Sequence, residues 1–367
     1  MDPTKKDAAQ AAASSPATHF GGWRALDASA NRAGEALRVI EDTLRFMLDD
    51  PFLTQQAKDL RHDLAALLAR GDLQQRITGR DVTGDVGAGS RAAAALGRTA
   101  PLDLVAANAA RAAQALRSLE ECAGLVAPAA VGGFEQLRYR LYTLERAAIG
   151  AARAADRLAG ISLCVLVDGG EDEWRFAALV ESLFAAGVHM IQLRDKTLSA
   201  PLLVARARAA LEIARQRALE QGERPLVVVN DRADVAAAVG ADGVHTGADD
   251  LPMPLVRRVI GPHALSGRTA HSLAEAEAAV LAGADYLGVG PCFPTTTKSF
   301  PSFAAPEFLR GVADTIGLPA FAIGGITLER LPELHSLGIR RVAVASAIMQ
   351  AADPAAAARG FLERLAE

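Results

Sequence analysis

Pro225–Gly247 reads PLVVVNDRADVAAAVGADGVHTG. A β-branched run ends in Asn230-Asp231, an Ala-rich helical stretch begins near Arg232, and a second short run, Asp242–His245, follows at once. Regular alternation of strand and helix implies parallel strands, because a parallel pair needs a crossover. The same grammar extends in both directions. Strand candidates, each followed by a helical stretch, fall at 161–168, 188–193, 225–230, 242–245, 264–268, 285–290, 319–323 and 341–345. The span 161–367 holds 207 residues, near the lower end for an eight-fold βα barrel. An open doubly wound sheet is the competitor. Eight units fit closure, and no GxGxxG fingerprint follows the first strand. The predicted fold class is α/β, with a C-terminal (β/α)8 TIM barrel.

Ahead of the barrel the grammar changes. From Gly22 to Arg157 apolar residues recur at three and four, as in Leu37, Ile40, Leu44 and Met47. This predicts an all-α helical-bundle domain over 19–157, ending in AARAADRLAG, with the barrel domain over 158–367. The helical part contains an internal repeat. Glu35–Asp42 (EALRVIED) returns as Gln114–Glu121 (QALRSLEE), 79 residues on. Lys58–Leu68 (KDLRHDLAALL) returns as Glu135–Glu145 (EQLRYRLYTLE), 77 residues on. Each copy is a helical hairpin, and a Gly-rich segment, 79–87, lies between them.

Composition narrows the class. The net charge is -4 and the pI near 6.0, with no basic stripe, so no nucleic-acid partner is expected. The three cysteines are far apart and form neither a disulfide framework nor a metal knuckle. No charge-free run reaches a membrane span, and the polar, Ala/Ser-rich start has no secretion signal. Residues 1–18 are expected to form a disordered tail. A cytoplasmic protein without a membrane partner is the expectation, and a homo-oligomer is left open.

In a βα barrel the chemistry sits at the C-terminal strand ends. The second strand ends in Gln192-Leu193-Arg194-Asp195-Lys196, and alternation sets Gln192, Arg194 and Lys196 on one side. A guanidinium fork and an ammonium together suit a phosphate or diphosphate, although a solvated strand end reads the same way. The next two loops carry Asp231 and Asp250. Carboxylates facing a basic cluster suit a Mg²⁺–diphosphate complex; helix capping is the alternative for Asp231. After the sixth strand comes Thr295-Thr296-Thr297-Lys298, a donor-rich loop. After the seventh and eighth come Gly324-Gly325 and Ser346, where phosphates are commonly held. Two anion subsites follow. Two phosphorylated substrates fit them, and a single bisphosphate fits almost as well.

The ordered set QLRDK, ND, DGVHTGADD, GRTAH, GPCFPTTTK, IGGI and VASAI resembles thiamine-phosphate synthase over nearly all of 161–367. That family joins hydroxymethylpyrimidine diphosphate to thiazole phosphate and releases pyrophosphate. The resemblance implies that Gln192, Arg194, Lys196 and Asn230 hold the pyrimidine substrate and its diphosphate. It makes Asp231 and Asp250 the Mg²⁺ ligands. Thr269, Thr295, Thr297 and Lys298 become phosphate contacts, and Gly325 and Ser346 the thiazole-phosphate cradle. Arg194, Lys196 and Lys298 would stabilise charge on the leaving group. Ala248 departs from the pattern, standing where Gln is expected.

LDASANRAGEALRVIEDTLRF, KDLRH and TGRDVTGDVG, over roughly 22–147, resemble a helical domain fused ahead of this synthase. That family is associated with phosphorylating hydroxymethylpyrimidine phosphate, which implies ATP as co-substrate. Asn31, Arg32, Glu35, Arg38, Arg61 and His62 are its candidate residues, with Arg80, Asp81 and Asp85 for nucleotide phosphate or Mg²⁺. Helix-face ion pairs account equally well for Arg38. No GxxxxGK[ST] loop is present. A non-catalytic binding or dimerisation module, and a thiazole tautomerase, are the competing functions.

Overall fold

The computed structural model describes residues 16–79, 99–222, 224–247, 249–294 and 303–367. The chain divides between Ile149 and Gly150 into two compact units.

The first unit holds helices α1 (Pro16–Phe46), α2 (Pro51–Leu68), α3 (Pro101–Val126) and α4 (Val131–Arg157), the last running past the division. Helix α1 begins inside the stretch read as a tail, and residues 1–15 lie outside the described residues. Helix α2 starts where Asp50 accepts the Leu53 N–H at 2.9 Å and Pro51 occupies the first turn. Leu26, Leu37, Ile40 and Leu44 of α1 are buried at helical spacing. Leu60 and Leu64 of α2, Leu116 and Leu119 of α3, and Phe134, Leu137 and Leu141 of α4 are buried too. Each such side chain contributes about 1.5–3 kcal/mol by leaving water.

Two buried carboxylates interrupt this apolar set. Glu41 is paired with Arg61 at 2.6 Å and with Arg38 at 3.5 Å. Glu120 is paired with Arg138 at 2.5 Å and with Arg117 at 2.9 Å. Burial pushes the Glu41 carboxyl up, but the Arg61 hydrogen bond and the charges of Arg61, Arg38 and His62 outweigh it and hold the group below its ordinary range.

The second unit is a closed barrel of eight parallel strands in sequential order, β1 pairing with β8. The strands are β1 (Leu163–Val167), β2 (Met190–Leu193), β3 (Leu226–Asn230), β4 (Gly243–Thr246), β5 (Leu265–Ala270), β6 (Tyr286–Val289), β7 (Ala320–Ile323) and β8 (Arg341–Val344). All eight fall within a residue or two of the segments read from sequence. The crossover helices are α5 (Glu173–Ala185), α6 (Ala200–Gln221), α7 (Ala233–Val239), α8 (Met253–Ile260), α9 (Leu273–Ala282) and α10 (Pro306–Thr315). Helices α11 (Leu331–Ser336), α12 (Ser346–Met349) and α13 (Pro354–Ala366) complete the ring.

Alternate strand residues fill the interior. Cys164, Met190, Val228, Leu265, Tyr286, Phe321 and Ala343 form one buried cluster, closed by Leu158 and Ile161. Tyr286 lies edge-on to Phe321 at 5.8 Å and beside His245 at 5.4 Å. A Cβ on Gly267 would sit 2.2 Å from the Tyr286 ring and 2.4 Å from His245 Nδ1, so this position has room for hydrogen only. At the N-terminal strand ends, Asp242 accepts the Val227 N–H at 2.9 Å. Asp285 likewise accepts the Ser266 N–H at 2.7 Å and pairs with Arg257 at 2.5 Å. These carboxylates tie neighbouring strands together on the face away from the candidate site.

Candidate active site

The apolar cluster is a floor. One step further along the same alternation the inward residues turn polar: Gln192 follows Met190, Asn230 follows Val228, and Thr269 follows Leu265 and Gly267. Gln192, Arg194, Lys196, Asn230, Asp231, Asp250 and Thr269 line one cavity of about 250 Å³. Gln192 is only 3% exposed, whereas Lys196 at the rim is 63% exposed. The Arg194 N–H donates to Val167 O at 2.8 Å, which extends the ladder between the first two strands and fixes where the guanidinium emerges.

Asp231 has a φ of 61°, a left-handed backbone that Asp tolerates better than most side chains. Its N–H donates to His245 O at 2.8 Å, holding the turn. Its carboxylate meets that of Asp250 in a side-chain hydrogen bond, and Lys196 Nζ lies 3.9 Å away. Burial and the neighbouring Asp250 push Asp231 up to about 6, against the pull of Lys196 and Arg194. Asp250 moves the other way. Burial raises it, but the hydrogen bonds from Asp231 and the Gly247 N–H, with the charges of Lys196 and Arg268, hold it below its ordinary value. Two carboxylates this close share a proton or a cation. Their oxygens, with two cationic side chains alongside, suit Mg²⁺ carrying a polyphosphate, which takes one or two protein carboxylates and fills its other positions from phosphate and water. No group of three or more His, Cys, Asp or Glu able to hold a metal occurs among the described residues, so such an ion would depend on its ligand for most of its shell.

Sequence reasoning passed over three residues. Asp195, between Arg194 and Lys196, accepts from Thr197 N and Oγ1 at 2.7 Å, from Leu198 N at 2.9 Å and from Gly169 N at 3.0 Å. Burial opposes its charge, yet these donors pull it down to about 2. It ties the loop that carries both cationic residues to the loop after β1. His245 is buried, with Nε2 3.0 Å from Thr269 Oγ1. Burial and the Arg268 charge push it down to about 4, so it is neutral at neutral pH. His271 also lines the cavity, its Nδ1 against Gly290 O. Period-two counting along β4 was the available signal for His245. For Asp195 the local signal was the Asp-Lys-Thr turn, with Thr197 two residues on; its partner Gly169, on another loop, needed the fold.

The turn after β7 is tight. Gly324 and Gly325 have φ of 97° and 64°, and a Cβ on Gly324 would lie 2.8 Å from Pro291 Cα. Cys292 N and Phe293 N donate to Ile323 O and Gly324 O at 2.9 and 3.0 Å, so the glycines let the loop after β6 press onto this turn. Gly324 lines the cavity; the Gly325 carbonyl accepts from Arg330. Ser346 is the first residue of α12. Thr295, Thr297, Lys298 and the departing Ala248 lie outside the described residues. Cys292 is buried, and burial pushes its thiol up to about 12.

The helical unit has a cavity of its own, of about 510 Å³, lined by Arg32 and Glu35 among others. Arg38, Arg61 and His62 are not on its wall. They gather at Glu41, with Arg61 Nη2 3.3 Å from His62 Nε2. Asn31 is exposed on α1, and Arg80, Asp81 and Asp85 lie outside the described residues.

Residues 163–348 match the family model described as Thiamine monophosphate synthase, and residues 24–147 match the ThiD2 family. A thiamine-phosphate synthase of Rhodopirellula baltica is 40% identical over 334 residues, 89% of this chain and 88% of its own. One from Gloeobacter violaceus is 41% identical, over 93% of this chain and 96% of its own. A solved thiamine phosphate pyrophosphorylase from Pyrococcus furiosus aligns with 56% of this chain and 96% of its own, at 30% identity and a TM-score of 0.48. No helix among the described residues is long and apolar enough to cross a membrane. A closed barrel whose mouth gathers two carboxylates and two cations, in a chain that matches synthases through both of its units, belongs to the thiamine-phosphate synthase family.

Proposed function

We propose that the barrel joins hydroxymethylpyrimidine diphosphate to thiazole phosphate, giving thiamine phosphate and pyrophosphate. The observation that carries this is the Asp231/Asp250 pair facing Arg194 and Lys196 in one cavity. In this reading Gln192 and Asn230 orient the pyrimidine, and Arg194 and Lys196 bind the diphosphate. Mg²⁺, held by Asp231 and Asp250, would supply positive charge to the departing diphosphate. The methylene C–O bond breaks with its electrons going to the diphosphate, and the thiazole nitrogen lone pair forms the new C–N bond. No protein nucleophile is needed, which is consistent with a buried Cys292 thiol. Gly325 and Ser346 take the thiazole phosphate, and Thr269, Thr295, Thr297 and Lys298 supply further phosphate contacts. Purified full-length protein given both substrates and Mg²⁺ should release pyrophosphate and thiamine phosphate in equal amounts. A folded protein that forms neither would remove the proposal, and interconversion of thiazole phosphate isomers instead would favour the tautomerase.

We further propose that the helical unit is built on an internal duplication and phosphorylates hydroxymethylpyrimidine phosphate, with ATP as donor. The ion pairs support the duplication: Arg38, Glu41 and Arg61 correspond to Arg117, Glu120 and Arg138 at offsets of 79, 79 and 77. A separate cavity with its own cationic group supports a second chemistry. Full-length protein given the pyrimidine monophosphate, ATP, Mg²⁺ and thiazole phosphate should form thiamine phosphate only when ATP is present. Product from the diphosphate alone would leave this unit a non-catalytic module.

A further inference from the structure

The cavity of the helical unit lies between α1 and α3, and its walls obey the arithmetic of the repeat. Ser29, Arg32 and Glu35 of α1 line it. Adding 79 to each gives Asn108, Arg111 and Gln114 of α3, which line it as well. The floor follows the same rule, with the buried Ala36 and Ala115. So does the remaining pair, Val39 and Ser118. Each lining residue of α1 thus has its repeat mate on the facing wall, and Ser29 meets Ser118, the mate of Val39, as a local two-fold axis through the cavity requires.

Charge is distributed unevenly around it. Arg38 and Arg117, also repeat mates, are neutralised by Glu41 with Asp42 and by Glu120 with Glu121. Arg32 and Arg111 are not: neither pairs with a carboxylate among the described residues, and Arg111 only reaches Asn108 Oδ1 at 3.4 Å. Two guanidiniums, one from each copy, therefore turn to a single cavity with their anion-binding capacity open. A pair of forks converging from two helices suits the oxygens of one phosphate group. The other pairs break the symmetry. Glu35 offers only acceptors where Gln114 offers a donor and an acceptor. Ser29 Oγ donates to Ser118 Oγ at 2.9 Å, and the buried Asn108 donates Nδ2 to Leu104 O at 2.8 Å. An acceptor-only carboxylate on one side selects a ligand with N–H donors there.

We infer that this cleft binds one phosphorylated amino-heterocycle per chain, its phosphate between Arg32 and Arg111 and its amino group on Glu35. The inference rests on the duplication proposed above. The volume, about 510 Å³, suits a ligand of this size. Hydroxymethylpyrimidine phosphate and ATP share the required chemistry, and the test separates them.

Isothermal titration calorimetry on the full chain, with the barrel filled by saturating thiamine phosphate, would measure each probe in turn. The expected result is one site per chain for at least one probe. R32Q and R111Q should each weaken it tenfold or more. E35Q should weaken it several-fold while leaving the R32Q-sensitive part of inorganic pyrophosphate binding, which reports the cleft and not the barrel, within a factor of two. R111K, which keeps charge and loses the fork, should fall between wild type and R111Q. Far-UV circular dichroism and thermal melts check that each variant folds, and R32Q with R111K carries the test if R111Q does not. Two equal sites per chain would overturn the shared axis site, as would affinity indifferent to both arginines or no binding of either probe. Binding without phosphoryl transfer would retain the cleft and remove the kinase. ATP-dependent transfer indifferent to R32Q and R111Q would retain the kinase and remove the cleft.

Discussion

Asp231 and Asp250 illustrate how one side chain's state depends on its neighbour. Their carboxyls touch, one pushed up to about 6 and the other held low, and Lys196 stands 3.9 Å away. A metal-bound diphosphate would relieve that proximity. Asp231→Asn keeps the shape and removes the charge. It should lower Mg²⁺-dependent coupling by about 10²-fold or more, the range found for electrostatic contacts made in the transition state. Initial rates over a Mg²⁺ series decide it, and near-normal turnover at saturating Mg²⁺ would refute the metal assignment. Ser346→Ala addresses the opposite subsite. It should raise KM for thiazole phosphate about tenfold, the loss of one hydrogen bond to a charged group. A rise confined to the pyrimidine KM would mean the subsites are reversed.

Asp195 works at the same scale but on the fold. Its folded pKa, about 2, lies below the ordinary aspartate value of 3.8 because four donors favour the carboxylate. A depressed carboxyl contributes stability that is complete above the unfolded pKa and is lost as pH falls through the folded one. Between about pH 4 and pH 2 this contribution should therefore disappear. Urea unfolding of wild type and Asp195→Asn over that window should show the two converging as pH falls. A gap that stays constant with pH would overturn the assignment.

At the scale of elements, the strand-to-helix alternation of Pro225–Gly247, followed in both directions over 161–345, was enough to place the barrel strands, because period and length separate a buried strand from a crossover helix. Alternation also set Gln192, Arg194 and Lys196 on one side, and all three line one cavity at the end of β2. What it could not show was tertiary partnership. Asp242 and Asp285 read as the first residues of strand candidates with no role of their own, yet each accepts an N–H from the preceding strand. Asp195 was given no role, and Arg61 read as a site residue, and Arg38 as a site residue or a helix-face ion pair, where a buried Glu41 engages both. Arg32 and Glu35 were legible as polar for a helix, but the partner wall across their cavity needed the fold. Asp285→Ala tests the element-level role. It leaves the buried Ser266 N–H and the half-buried Arg257 without their carboxylate, at a cost of about 3 kcal/mol. Equilibrium urea unfolding monitored by circular dichroism measures that loss, and a change under about 0.5 kcal/mol, the surface-substitution level, would contradict it.

At the scale of the whole molecule, each unit has its own apolar interior: the leucine-rich helical set around Leu37 and Leu116, and the barrel plug around Met190 and Phe321. A chain with two cores need not unfold in one step. The two tryptophans separate them. Trp23 is buried in the helical unit, while Trp174 in the barrel unit is 77% exposed. Unfolding moves Trp23 into water and changes little around Trp174, so the fluorescence red shift follows the helical unit. Coupling of supplied diphosphate with thiazole phosphate follows the barrel. Rising urea should give two midpoints, one by fluorescence and one by residual coupling activity. Trp23→Phe should abolish most of the red shift while circular dichroism still reports the loss of both units. Coincident midpoints by all three probes would mean that the helical bundle and the barrel fold as a single cooperative body, in spite of their separate interiors.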